Sequence, residues 1–158
     1  MASFQAQGRD PLFDTDTAAT LERRGRELIG IALIVLGLMA AAAIGTYSPD
    51  DPSWFSATDA PIQNWMGRFG ALFAAPLYTI CGLGAWAIVA TLLIWGARFV
   101  SHIGEGRFFC AVFSPIWIAT CSVYAAGLPE AAEWGHNFGM GGLFGDMIMG
   151  SMLHISPF

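Results

Sequence analysis

Uncharged apolar runs and short polar stretches alternate along the whole chain. The longest run without a charge is Phe69 to Ala97, closed by Arg68 on one side and Arg98 on the other. A helix rising about 1.5 Å per residue needs roughly 20 such residues to cross about 30 Å of hydrocarbon. The pattern therefore predicts an all-α membrane protein with spans at about 28–47, 70–97 and 108–128. Pro76 and Pro115 lie inside the second and third spans, where proline removes a backbone donor and bends a helix. Met1 to Thr20 is polar and irregular and reads as a mobile tail. Thr17 to Glu27 is a charged lead-in to the first span. A signal peptide fits less well, because the first apolar run is longer than an h-region and follows too long a charged segment.

Between the first two spans lies a loop at 48–69. Pro49, Pro52 and Pro61 end any helix there, and Ser48, Asp50, Asp51 and Ser53 favour turns. Trp54, Phe55 and Trp65 are aromatics of the kind that sit at a membrane surface. The loop's aspartates do not have the spacing of a calcium loop. Arg98 to Arg107 forms a tight hairpin turn, with His102 read as solvated. Gly37, Ala41 and Gly45 fall four apart on the first span, a face that lets another helix approach closely. Glu130 to Gly145 is polar and glycine-rich and reads as a second loop. Leu143 to Ile155 is then a short amphipathic or re-entrant helix. Asp146, Gly150 and His154 are expected toward water, and Phe144, Ile148, Met152 and Ile155 toward lipid or other helices.

Composition narrows the chemistry. Charged residues are 12% of the chain, against about a quarter in soluble domains. Twelve acids face seven arginines, with no lysine, for a net charge of −5. No basic patch is available for DNA or RNA, so direct nucleic-acid contact from this segment is not expected. A phosphate-binding loop of the Gly-x-x-x-x-Gly-Lys type requires a lysine. The predicted spans hold no Asp, Glu, His, Lys or Arg, which argues against a pump or an ion-coupled transporter. Cys81, Cys110 and Cys121 fit neither a disulfide framework nor a zinc site and read as small apolar residues. No catalytic, cofactor or metal site is expected. With the amino terminus inside, Arg9, Arg23, Arg24, Arg26, Arg98 and Arg107 are cytoplasmic and Arg68 is outside, a positive-inside distribution. Loop 48–69 and segment 143–155 are then periplasmic.

One set of motifs resembles a known family. Tyr47-Ser48-Pro49-Asp50-Asp51-Pro52-Ser53-Trp54 is similar to the loop after the first span of FtsK/SpoIIIE-type bacterial DNA translocases. Asn64, Gly67 and Gly70 match the segment opening that family's second span. Gly82 and Gly84 continue the match, and Gly141, Gly142 and Gly145 resemble its Gly-Gly-x-x-Gly after the third span. These residues are read as structural or interaction positions. The resemblance implies the amino-terminal membrane domain of a septal DNA translocase, a homo-oligomer (a hexamer by resemblance) in the bacterial inner membrane. Its partners would be lipid and division-machinery proteins, and its ATP-driven motor would lie beyond Phe158. Such a motor must reach cytoplasmic DNA, so a fourth span is expected beyond the chain end. Met147 to Phe158 would be only about 18 Å as a helix, and Asp146 in a span would cost about 3 kcal/mol. The alternative is a complete small membrane subunit packing against a pigment, redox or other membrane complex. His136 or His154 and the many aromatics would suit that role.

Overall fold

The computed structural model describes residues 15–103, 107–129 and 134–155. Five α-helices form it, and the described residues contain no strand. They are α1 (Thr15–Gly45), α2 (Gly67–Cys81), α3 (Ala85–Val100), α4 (Arg107–Ala126) and α5 (Gly142–Ile155), with a 3-10 turn at Gly82–Gly84. The all-helical, polytopic architecture is the one the apolar runs predict. Residues 16–45 and 67–100 are long and apolar enough to cross a membrane, and 111–126 is a shorter apolar helix. Of the irregular tail expected over 1–20, residues 15–20 are instead the first turns of α1, and residues 1–14 lie outside the described residues, as do 104–106 of the 98–107 turn and 130–133 of the second loop.

α1 starts well before the apolar run, because its charged first turns are stitched within the helix. Arg23 and Arg24 pair with Glu27, and Arg26 with Glu22, three or four residues apart. Its apolar part runs antiparallel along α3, the most extensive helix pair in the protein. Glycine makes this approach possible. A methyl group on Gly30 would come within 2.8 Å of the Gly96 carbonyl and of Val100, and one on Gly37 within 2.9 Å of Leu93. Gly45 faces Trp86. The small face expected on α1 is thus occupied, with α3 seated on it. At the far end Glu27 Oε1 meets His102 Nε2 at 3.0 Å, and this bond together with Arg24 holds the Glu27 carboxyl below its usual range. His102 is therefore paired rather than solvated.

The segment 70–97 departs from the single continuous span expected for it. The helix stops at Cys81, turns through Gly82–Gly84 and restarts at Ala85. Gly82 has φ 55° and ψ −134°, a conformation that side chains with a Cβ adopt rarely and glycine readily. The break is not at Pro76, which sits inside α2. The freed Leu83 N–H donates to the Met140 carbonyl at 2.8 Å, so a residue of the second loop completes the broken ladder.

α5 also departs from expectation at Asp146. Its carboxylate does not simply face water but accepts the Gly139 N–H at 2.8 Å, closing the turn that presents Met140 to Leu83. α5 packs on α4, where Gly145 lies against the Ser122 carbonyl, and on α2.

The α1–α3 contact should be the fold's steric weak point. A Cβ at Gly96 would lie 2.5 Å from Ile34, so Gly96→Leu should cost about 1–3 kcal/mol. A lowered melting temperature in detergent would show it. Gly25→Leu, at a position with open space around it, should lose nothing.

Candidate functional site

Two clusters gather most of the motif residues at one end of the helix bundle. The first is a polar node built on Asp51 and Asn64. The turn after α1 closes through the Asp51 N–H to the Ser48 carbonyl at 3.2 Å, which swings the Asp51 side chain inward until it is 2% exposed. Its two oxygens accept the Gln63 and Asn64 N–H groups at 2.7 and 3.0 Å. Asn64, also buried, donates its amide to the Ala43 carbonyl at 2.8 Å and to Thr46 at 3.3 Å, and accepts the Met66 N–H at 3.0 Å. Thr46 Oγ1 donates to Ala42 at 2.7 Å and accepts the Trp65 N–H at 3.1 Å.

Backbone accounting explains the arrangement. The last four carbonyls of a helix lack helical partners. In α1, Ala42 is satisfied by Thr46, Ala43 by the Asn64 amide and Ile44 by the Tyr47 N–H. The same Asn64 starts the turn into α2. Gly67 follows with φ 64°, and Gly70 lies directly against the Asn64 side chain with no room for a Cβ. Pro49 lines a cleft above the node, Pro52 is half-buried, and Trp54 stands 76% exposed. Trp54 is among the exposed motif residues, whereas Gly67 donates its N–H to the Asn64 carbonyl at 2.8 Å.

The second cluster is a crossing of glycines around Ser122. Gly84 lies against Ser122 itself, Gly141 and Gly145 against its carbonyl, and Gly142, at φ 68°, against Gly82. Ser122 is fully buried and turns its hydroxyl back to the Ile118 carbonyl at 3.2 Å, which leaves its backbone face for the glycines.

Between the two clusters sits a group of rings. Tyr47 and Tyr78 have centroids 5.0 Å apart, and His136 stacks on Phe138 at 5.3 Å. Trp134 meets His136 edge-on at 4.8 Å and donates Nε1–H to the Phe138 carbonyl at 2.6 Å. This packing joins the first loop to the second. Nδ1 of His136 is buried without a hydrogen-bond partner, and burial lowers the His136 pKa. An adjoining cleft of about 250 Å³ runs between the loops, lined by Pro49, Phe55, Ser56 and Asn137 among others.

The motifs point to Asp51, Asn64 and the glycines but not to Thr46, Ser122, Met140, Tyr78 or His136, which complete the two clusters and the rings. Thr46 and Ser122 carry a sequence signal as polar residues inside apolar runs, and His136 stands out only for the alternative reading. Among the described residues, no three His, Cys, Asp or Glu side chains converge as a metal site would require. The arrangement joins helices and loops through backbone groups, buried side chains and rings.

Comparison with known proteins gives this geometry a context. The family described as "4TM region of DNA translocase FtsK/SpoIIIE" matches residues 22–158. A protein named DNA translocase FtsK from Bradyrhizobium diazoefficiens is 40% identical over 133 residues, covering 82% of this chain and 16% of the relative. Its namesake from Azospirillum brasilense is 31% identical over 144 residues, 89% of this chain and 23% of the relative. The one from Caulobacter vibrioides is 30% identical over 131 residues, 80% and 16%. The chain thus spans less than a quarter of the length of these relatives. No solved structure matches.

Two outcomes test the clusters. Asp51→Ala strands the buried Asn64 N–H and the part-buried Gln63 N–H, so it should destabilise the chain by about 2–4 kcal/mol in a detergent melt. Asp50→Ala, at an exposed carboxylate, should cost little. The second outcome concerns pH. His136 binds its proton less readily when packed than when released, so the ring cluster is fully stable above the ordinary histidine pKa of 6.5. Its stability should fall as pH drops below 6.5 and level off beneath the lowered pKa. His136→Phe should flatten the melting temperature between pH 7.5 and 5.5.

Proposed function

Because the chain belongs to the family of 4TM regions of FtsK/SpoIIIE DNA translocases, we propose that it anchors such a translocase in the inner membrane at the division site. The observation that carries this reading is the match over residues 22–158, which falls on a bundle of apolar helices and leaves the relatives' remaining length outside. The chain is the membrane region, not the motor, and works as scaffold without a cofactor of its own.

The arginine distribution supports a cytoplasmic amino terminus, with six of the seven arginines on that side. In this orientation the polar node, the ring cluster and Trp54 face the periplasm. The loops joined there form the surface for division-machinery proteins, with α1 outward faces such as Leu28, Ile31 and Leu38 toward lipid or a second copy. The resemblance supports a homo-oligomer. Translocation of DNA belongs to the rest of the protein, and this segment makes no nucleic-acid contact.

A fluorescent protein fused to the amino terminus tests the reading. The fusion should collect at midcell in dividing cells, and uniform membrane labelling through the cell cycle would refute recruitment by this domain. Trp54→Ala removes an exposed indole without touching the Asp51–Asn64 bonds, so it should reduce midcell enrichment while leaving membrane insertion intact. Gln63→Ala should change neither enrichment nor insertion, because only the backbone of Gln63 serves the node.

A further inference from the structure

We propose that α2 is not part of a membrane crossing but lies along the bilayer surface, seating Trp65, Phe69 and Phe73 in the lipid interface. Which leaflet it meets rests on the orientation proposed above; its in-plane position does not.

Length is the first argument. Residues 67–100, 34 in all, would make a straight helix of about 51 Å, far beyond roughly 30 Å of hydrocarbon. α3 with its 3-10 turn already supplies about 30 Å. Breaking the helix at Gly82 lets α3 cross while α2 turns away.

The second argument is where α2 goes. α1 and α3 lie side by side, Gly30 at Gly96 and Gly37 at Leu92 and Leu93, with Ile44, Ala85 and Val89 in one buried cluster. The last turn of α1 is therefore level with the first turn of α3. Continued straight from α3, α2 would rise about 22 Å away from that level. Instead, Gly70 rests on Asn64, which is bonded to Ala43 and Thr46, while Tyr78 packs on Tyr47 in the cluster that holds Ile44. Positions about 12 Å apart along α2 thus both reach the last turn of α1, Gly70 through Asn64 and Tyr78 in the cluster with Ile44. A helix that does so runs across the end of α1, not alongside it.

The third argument is what covers α2. Gly70, Ala71, Ala74, Ala75 and Tyr78 form its inner face. Phe69 and Phe73, four apart on the helix, are 78% and 66% exposed, and Trp65 just before it is 83% exposed. Three large aromatics beside the exposed Arg68 are the composition of a lipid interface, where rings sit among headgroups and arginine reaches water. Leu38 and Met39 on α1 and Trp86 on α3 are likewise exposed large apolar residues, as lipid-facing positions of crossing helices are.

Depth measurement decides the matter. Nitroxide labels would replace Trp65, Phe69 and Phe73 singly in the 158-residue chain with Cys81, Cys110 and Cys121 changed to alanine, in phospholipid nanodiscs. Relative accessibility to oxygen and to a nickel chelate reports depth. All three labels should lie at one shallow depth, within a few ångströms, while labels at Ile29 and Leu36 differ by about 10 Å as a crossing helix requires. A change of about 6 Å in depth between positions 69 and 73, as a crossing helix would give, would overturn the proposal. So would labels open to the nickel chelate as in bulk water, or closed to both reagents. A photo-crosslinking p-benzoylphenylalanine at Phe69 in the chain with its native cysteines checks the occupant independently. Lipid adducts support the proposal, and a second copy or another protein as the main product overturns it. Neither readout depends on midcell recruitment, so this inference and the anchoring role can fail separately.

Discussion

Carbonyls at the end of α1 need partners in a place with little water, and much of the loop end of the structure follows from that need. Within a bilayer an unsatisfied backbone group costs several kcal/mol, and near its edge the same pressure persists. The chain answers with a side-chain amide from Asn64 and a hydroxyl from Thr46. Holding Asn64 in place requires its own backbone to be bonded, which is the role of the Asp51 carboxylate. Burying that carboxylate is tolerable because both oxygens accept N–H groups. The loop from Tyr47 to Asn64 is in this sense a long C-terminal cap for one helix and an N-terminal lead for the next.

Ser122 imposes the complementary constraint, one of space. Three segments reach it: the 3-10 turn, the 139–142 turn and the start of α5. Each approaches backbone to backbone, and only glycine permits this at Gly84, Gly141 and Gly145. The unwound turn exposes the Leu83 N–H, and the Met140 carbonyl satisfies it because Asp146 holds the preceding turn. A broken helix is stable here only because another loop has been brought within hydrogen-bond reach.

Helices were legible in the sequence because apolar runs bounded by arginine and proline leave little choice of secondary structure. Their continuity was not. Phe69 to Ala97 has no charge to mark a break, and Pro76 signals a bend where α2 carries on, since a proline can be accommodated within a helix whose neighbours satisfy the freed carbonyl. Gly82 breaks the run through a positive φ, and nothing local separates it from Gly70, which stays helical. Motif spacing pointed to Asp51 and Asn64 but could not say that they bond to each other, thirteen residues apart in sequence. Asp146 was assigned to water because its partner is a backbone N–H, which has no sequence signature. Tyr78 had no signal, and His136 stood out only as a candidate for contact with another complex, because ring contacts between distant segments depend on the tertiary turn of α2.

The two ends of the bundle are held by different forces, and this bears on how an anchor can work. At the loop end, directional hydrogen bonds and glycine contacts fix α1, α2, α3, α4 and α5 relative to one another within a few residues of Asn64 and Ser122. At the opposite end, α1 and α3 meet through the close packing at Gly30 and Gly96 and a partly exposed pair, Glu27 with His102. Partly exposed pairs of this kind contribute little to stability and weaken with salt. Displacing the first turns of α1 therefore costs little, whereas moving the loops means breaking several buried bonds at once. A domain built this way can tolerate motion at the end where α1 begins without transmitting it to the loop surface, which keeps one geometry because its backbone groups have no other partners.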